Sequence, residues 1–295
     1  MKGNLPVIQS LWIGDALSNL EKLCVQSFLD HGHAFHLYTY AAVDGVPKGA
    51  VIKDGNEILP HDQLTGGRAR HAASLSDYFR YALLNKKGGY WVDMDIICLR
   101  RFDLPDPVVL IDMVGDLSCF ENCLLRFPAG HPLMETMQEL CRKRLRMKGL
   151  SRTKLGGPPI FTGQIHQLQL LHLAQPEAAF LSSHSREVDY FNEAYRDGLR
   201  FPAGRYALHF ANHTLAKMGI DKNAQFDPES LFEQLKSRHR IPQVADARRV
   251  TAAEINALHA AMEERKKTKR RRKKNREILL VAVILAAALG VSFWR

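Results

Sequence analysis

The first apolar run of the chain, LPVIQSLWIG, is β-rich and stops at a glycine, which predicts a strand. In NLEKLCVQSFLDHG, Leu20, Leu23, Cys24 and Phe28 then recur at helical spacing before Gly32, and AFHLYTY returns to a strand pattern. Strand, helix, strand is the rhythm of a sheet covered by helices, with ligands expected at the carboxyl ends of the strands. Further on, Ser74 or Ser76 can cap a helix through DYFRYALLNKK that Gly88 and Gly89 end. That helix carries Asp77, Arg80 and Tyr81 on one face. The next apolar run, GYWVDMDIICL, predicts a strand with Asp93 and Asp95 projecting from one face while Val92, Met94 and Ile96 fill the other.

Two uncompensated carboxylates in an apolar strand cost several kcal/mol unless they share a cation at its end. Paired aspartate oxygens with positions left open for phosphate suit Mg²⁺ or Mn²⁺.

The pattern changes once more at the end. Residues 278–294, ILLVAVILAAALGVSFW, hold no charge and no proline. As a helix these residues would span about 26 Å at about 1.5 Å each, close to a hydrocarbon core of roughly 30 Å. Directly before them, residues 265–276 carry ten lysines and arginines and no acid. The chain is expected to be anchored by a single C-terminal transmembrane helix, with the basic run and the domain before it facing the cytoplasm. The run can also bind anionic lipid headgroups. Upstream, Thr251 to Glu254 form a capping box, and Ile255, Leu258 and Met262 make an apolar line on a spacer helix. The segment RHRIPQVADARR reads as a boundary, which divides the chain into 1–240 (catalytic domain), 241–276 (helical, strongly basic linker) and 277–295 (anchor).

Charge argues against nucleic acid as a partner. The formal net charge is +10, but without those ten cations the lysines and arginines match the 31 acids and the remainder is neutral. The five cysteines are odd in number and scattered, which suggests reduced core residues and neither a disulfide framework nor a zinc cluster. With 295 residues, 46% of them hydrophobic, an enzyme-sized domain is expected.

SDYFRYALLNKKGGYWVDMDI resembles the S-D-x-x-R-Y-x-x-L-x-x-x-G-G-x-Y-x-D-x-D signature of the DXD-containing sugar transferases. These are the family 32-like group with α-1,4-N-acetylglucosaminyl- and α-1,6-mannosyltransferases and capsular polysaccharide enzymes. Ser76, Asp77, Arg80, Tyr81, Leu84, Gly88, Gly89, Asp93 and Asp95 fall at its spacing, and Trp91, following Tyr90, is a departure that leaves the acids in place. Weaker likenesses extend over residues 6–217: IQSLWIGD, CFENCLLRFPAGHPLMETM, LGGPPIFTGQ and YALHFANHTLAK, the last without the tryptophan that usually follows its A-x-H.

The resemblance implies an α/β fold of the GT-A kind, a Rossmann-like domain that binds a nucleotide sugar. It puts Trp12 near the nucleotide base and makes Asp95 the ligand of a divalent ion, with Asp93 on the ribose or in the metal shell. Asp77 and Arg80 would hold the donor sugar, and His209, or His213 in its place, would complete the metal shell. Asn122 and Gln164 are candidates for lining the reaction centre. The expected activity is a metal-dependent, retaining hexosyl transfer from a UDP- or GDP-sugar, with front-face attack, to a glycan or glycolipid at the cytosolic face of a membrane. Two alternatives stand beside it: a HAD-like phosphatase with its nucleophile in WVDMD, and a tail-anchored lipid-binding adaptor with a degenerate transferase domain.

Overall fold

The computed structural model describes residues 5–62, 72–147, 155–176, 180, 189–192, 201, 204–210 and 212–288. Its strands in chain order are β1 (Ile8–Leu11), β2 (Phe35–Thr39), β3 (Val51–Asp54), β4 (Gly89–Val92), β5 (Ile96–Cys98), β6 (Leu110–Asp112), β7 (Leu124–Phe127), β8 (Ala174–Pro176) and β9 (Ala207–His209). The helices are α1 (Asn19–Asp30), α2 (Ala72–Lys87), α3 (Pro132–Arg146), α4 (Pro158–Gln167), α5 (Asp189–Asn192), α6 (Asn212–Met218), α7 (Leu231–Arg238) and α8 (Ala252–Ala288). The opening β1-α1-β2 unit matches its sequence pattern.

A five-stranded sheet in the order β3-β2-β1-β4-β7 forms the centre. β1, β2, β3 and β4 pair in parallel, and β7 closes the edge antiparallel to β4. Tyr90 and Val92 of β4 pack into one hydrophobic cluster with α1 and α7, whereas Trp91 packs into a second with α2, α3 and α4. Both faces of β4 are therefore covered, as a central strand of an α/β sheet requires. The five cysteines are all free, four of them buried.

α2 begins at Ala72, ahead of both serines expected to cap it, so Ser74 and Ser76 are helical. It ends as expected. Gly88 has φ +65°, and a Cβ there would lie 2.6 Å from the Ala129 amide nitrogen, so only glycine fits the turn that feeds β4.

The strand expected over Asp93 and Asp95 is not one strand. β4 stops at Val92; the Asp93 N–H turns to the Cys123 carbonyl (2.7 Å), and the Asp93 carbonyl accepts from Ile96 N–H (3.1 Å), closing a tight turn before β5. Alternation of apolar and acidic residues mimics a strand here, yet the backbone hydrogen bonds put both acids in the turn.

At the other end, Thr251 and Glu254 form the expected capping box, with Thr251 N–H donating to Glu254 Oε2 at 2.9 Å. α8 is more than a spacer at its start. Ile255 and Met262 are buried in the first cluster along with Val250, while Leu258, expected beside them, is 38% exposed. Among the described residues no helix is long and apolar enough to cross a membrane. The described part of α8 past Glu277, residues 278–288, is about 16 Å of helix. The transmembrane helix expected over 277–295 is thus not supported by the described residues, and 289–295 lie outside them.

Candidate active site

β2 and β3 leave β1 on one flank and β4 lies on the other, so strand order reverses between β1 and β4. A crevice opens outside the carboxyl ends of the two strands flanking such a switch point. Here it is a cleft of about 670 Å³, with Trp12 arriving just after β1 and Asp93 just after β4.

One wall is a buried knot around Arg80, which is 3% exposed. Being one turn on from Ser76 and Asp77 in α2, its guanidinium donates to Ser76 Oγ (3.1 Å) and pairs with Asp77 Oδ1 (3.5 Å). The same group reaches Asp93 Oδ1 at 3.1 Å, donates to the Asn122 carbonyl and stands 5.0 Å from the Trp91 ring centroid. Trp91 Nε1–H donates to Asp93 as well (2.9 Å). Asn122 Nδ2 donates to Asp77 Oδ1 (3.0 Å) and to the Tyr81 hydroxyl (2.9 Å), whose own O–H donates to the Gly156 carbonyl (2.7 Å). Burial pushes the Asp77 carboxyl up, with Arg80 and Asn122 opposing it. For Arg80, burial works against the charge, but Asp93 and then Asp77 outweigh it and hold the guanidinium firmly protonated.

The opposite wall is set by strand register. β5 pairs antiparallel with β9 so that Ile96 faces His209, and Phe210 N–H donates to the Asp95 carbonyl (3.0 Å). His209 Nε2 therefore lies 3.4 Å from Asp95 Oδ2, which also accepts from the Asn212 N–H (2.7 Å). Burial would raise the Asp95 carboxyl, but the His209 charge, its hydrogen bond and the Asn212 N–H bring it below the usual range. His209 is held up at about 9, against its burial, chiefly by Asp95. Asp93 moves the other way: burial raises it, Arg80 pulls it down and the neighbouring Asp95 charge raises it again. Two acids of one turn thus have different environments, one on a guanidinium and one on an imidazole.

Asp95 Oδ1 is buried and has no hydrogen-bond partner among the described residues. A bare carboxylate oxygen in a polar cleft fits a hard cation. Among the described residues no three His, Cys, Asp or Glu side chains form a ready cage, so the protein would supply part of a shell that phosphate and water complete.

Trp12, Asp77, Arg80, Asp93, Asp95, Asn122, His209 and His213 all line the cleft. Gln164 does not: it sits half-buried on α4. It is Thr162 of that helix that reaches inward, accepting from Phe120 N–H (2.9 Å). Sequence reasoning passed over Glu121 and Asn212, both on the cleft wall. Glu121 had a signal, an acid leading into the apolar CLL of β7; Asn212 acts through its backbone N–H and had none.

Residues 24–119, about a third of the chain, match the family described as the glycosyltransferase sugar-binding region containing DXD motif. The matched segment holds Asp77, Arg80, Asp93 and Asp95. The chain carries a DXD glycosyltransferase domain.

No curated protein matches this glycosyltransferase. Among solved structures, one titled PaToxG Glycosyltransferase aligns at 18% identity over 57% of this chain and 76% of that one, with a TM-score of 0.44. Another, a transferase mutant with two cysteines replaced by serine, aligns at 14% over 58% and 86%, with a TM-score of 0.27. Both are too distant to assign residues. The HAD-like phosphatase alternative leaves Asp77 and Arg80 without a task, although Arg80 is tied directly to the aspartate turn.

Proposed function

We propose that the glycosyltransferase is metal-dependent and retaining, moving a hexose from a UDP- or GDP-sugar to a glycan or glycolipid acceptor at the cytosolic face of a membrane. The buried, unpartnered Asp95 Oδ1 carries the reading. Asp95, with Asp93 and His209 or His213 nearby, would hold Mg²⁺ or Mn²⁺. Bound there, the ion would act as a Lewis acid toward the departing diphosphate.

The chain's own residues supply the rest. Asp77, fixed by Arg80 and Asn122, presents its carboxylate to sugar hydroxyls, and Arg80 keeps Asp93 ionised for the ribose or the metal shell. Trp12 offers an indole face beside the carboxyl end of β1 for the base. A site assembled in advance in this way loses little freedom when the donor binds. Support for the membrane location is the exposed basic run of α8 and the apolar residues after it, of which Ile278 and Val281 are more than half exposed.

The test is binding and slow hydrolysis of a panel of UDP- and GDP-sugars with and without Mn²⁺, for wild type and Asp95→Ala. Metal-dependent hydrolysis of one donor, reduced at least 100-fold in the variant, is expected. Failure of folded wild-type protein to bind any donor sinks the reading.

A further inference from the structure

The residues from Phe120 to Cys123 cross the floor of the cleft. Their backbone is held at every step: Phe120 N–H on Thr162 Oγ1, Glu121 N–H on the Ile111 carbonyl, the Asn122 carbonyl on Arg80 and the Cys123 carbonyl on Asp93 N–H. Asn122 sends its side chain to Asp77 and Tyr81, the wall assigned to the sugar. Glu121 precedes it, lines the same cleft, and its charge acts on His209 across the other wall. The two consecutive side chains straddle the cleft.

Glu121 is 8% exposed, and its carboxylate makes no hydrogen bond or ion pair with any described residue. Every other acid lining the cleft has a protein partner: Asp77 has Asn122 and Arg80, Asp93 has Trp91 and Arg80, and Asp95 has Asn212 and His209. Its oxygens are not sealed off as Asp95 Oδ1 is, so the unpaired carboxylate opens into the cleft, where an incoming hydroxyl can donate to it.

We propose that Glu121 is a catalytic residue that accepts a hydrogen bond from the attacking hydroxyl and holds it beside the leaving oxygen. This rests on the transferase reading above. A front-face attack brings the incoming hydroxyl to the same side as the departing diphosphate, and Glu121 shares the cleft with His209 and the Asp95 oxygen assigned above to the ion, close enough for its charge to act on His209. The bond from the anomeric carbon to the diphosphate oxygen breaks with its electron pair on that oxygen. The hydroxyl oxygen forms the new bond to carbon, and its proton passes to the departing phosphate. Glu121 orients the hydroxyl and is unchanged at the end.

The experiment measures donor affinity by calorimetry and donor hydrolysis, with water as the attacking hydroxyl, for wild type, Glu121→Gln and Glu121→Ala. Expected is a donor Kd within threefold of wild type, with hydrolysis down about 100-fold in Glu121→Ala and less in Glu121→Gln, which keeps an acceptor oxygen. Added formate should restore part of the Glu121→Ala rate, a rescue that a misfolded variant would not show. Unchanged hydrolysis in both variants, or a loss confined to Kd, overturns the assignment. So does a glycosylated Glu121 detected by mass spectrometry, which would make it a nucleophile. A wild type that hydrolyses no donor removes the transferase reading itself, whereas a working wild type with a working Glu121→Ala removes only the role of Glu121.

Discussion

Replacing Arg80 by methionine tests the knot under the cleft. The substitution keeps the length of the side chain and removes the cation shared by Asp77 and Asp93, at 3.5 and 3.1 Å. Breaking a fully buried ion pair by deleting one partner costs about 3–5 kcal/mol. The Asp77 side chain is 14% exposed and that of Asp93 is 30%, so water screens part of the loss and we take about 3 kcal/mol. For a domain of this size that corresponds to roughly 6–12 °C in Tm.

The sign with pH follows from the same geometry. Burial raises both carboxyls, and without Arg80 the folded state of the variant binds protons more readily than the unfolded chain. Its deficit therefore shrinks as pH is lowered from 7.5 to 5.5. Urea unfolding and calorimetry at the two pH values measure both effects. A deficit under about 1 kcal/mol, or one that does not change with pH, would refute the reasoning that the two acids depend on one guanidinium.

Two further predictions are independent of it. His33, 2% exposed, accepts from Phe102 N–H on Nε2 and donates to the Pro6 carbonyl from Nδ1, so it is neutral in the fold and burial holds its pKa below the ordinary 6.5. The unfolded chain takes up that proton first, so stability should fall as pH drops below 6.5, and His33→Gln should show a shallower slope in urea midpoints; parallel slopes would dismiss the role. Deleting residues 278–295 should abolish co-sedimentation with vesicles at high salt and leave only salt-sensitive binding to anionic ones, because screening removes the contribution of the basic run; undiminished high-salt binding would count against an apolar anchor.

What the sequence disclosed was local. The string from Ser76 to Asp95 was readable because a helix, a glycine turn and two acids follow one another within a single connection. The strand assigned to Asp93 and Asp95 failed for a non-local reason: Cys123 takes the Asp93 N–H, and nothing in V-D-M-D-I announces it. His209 meets Asp95 only through the β5–β9 register, so its spacing in the chain carries no hint of the ion pair. Gln164 shows the converse. The likeness in LGGPPIFTGQ pointed to this segment but not to the part of it that lines the cleft, which is Gly157 and Pro158. Ile255 and Met262 read as a spacer because the cluster that buries them is assembled from distant segments.

That last contact turns α8 into a ruler. Met262 is the final residue of the helix held in the core, and Ile278 begins its apolar end. The sixteen helical steps from one to the other amount to about 24 Å, and all ten cations of the basic run lie along that length. Whatever the apolar end enters, the glycosyltransferase body stands off from it by a fixed span and not on a slack tether. Under the membrane location proposed above, the helix and not a flexible linker would set how far the cleft stands from that surface.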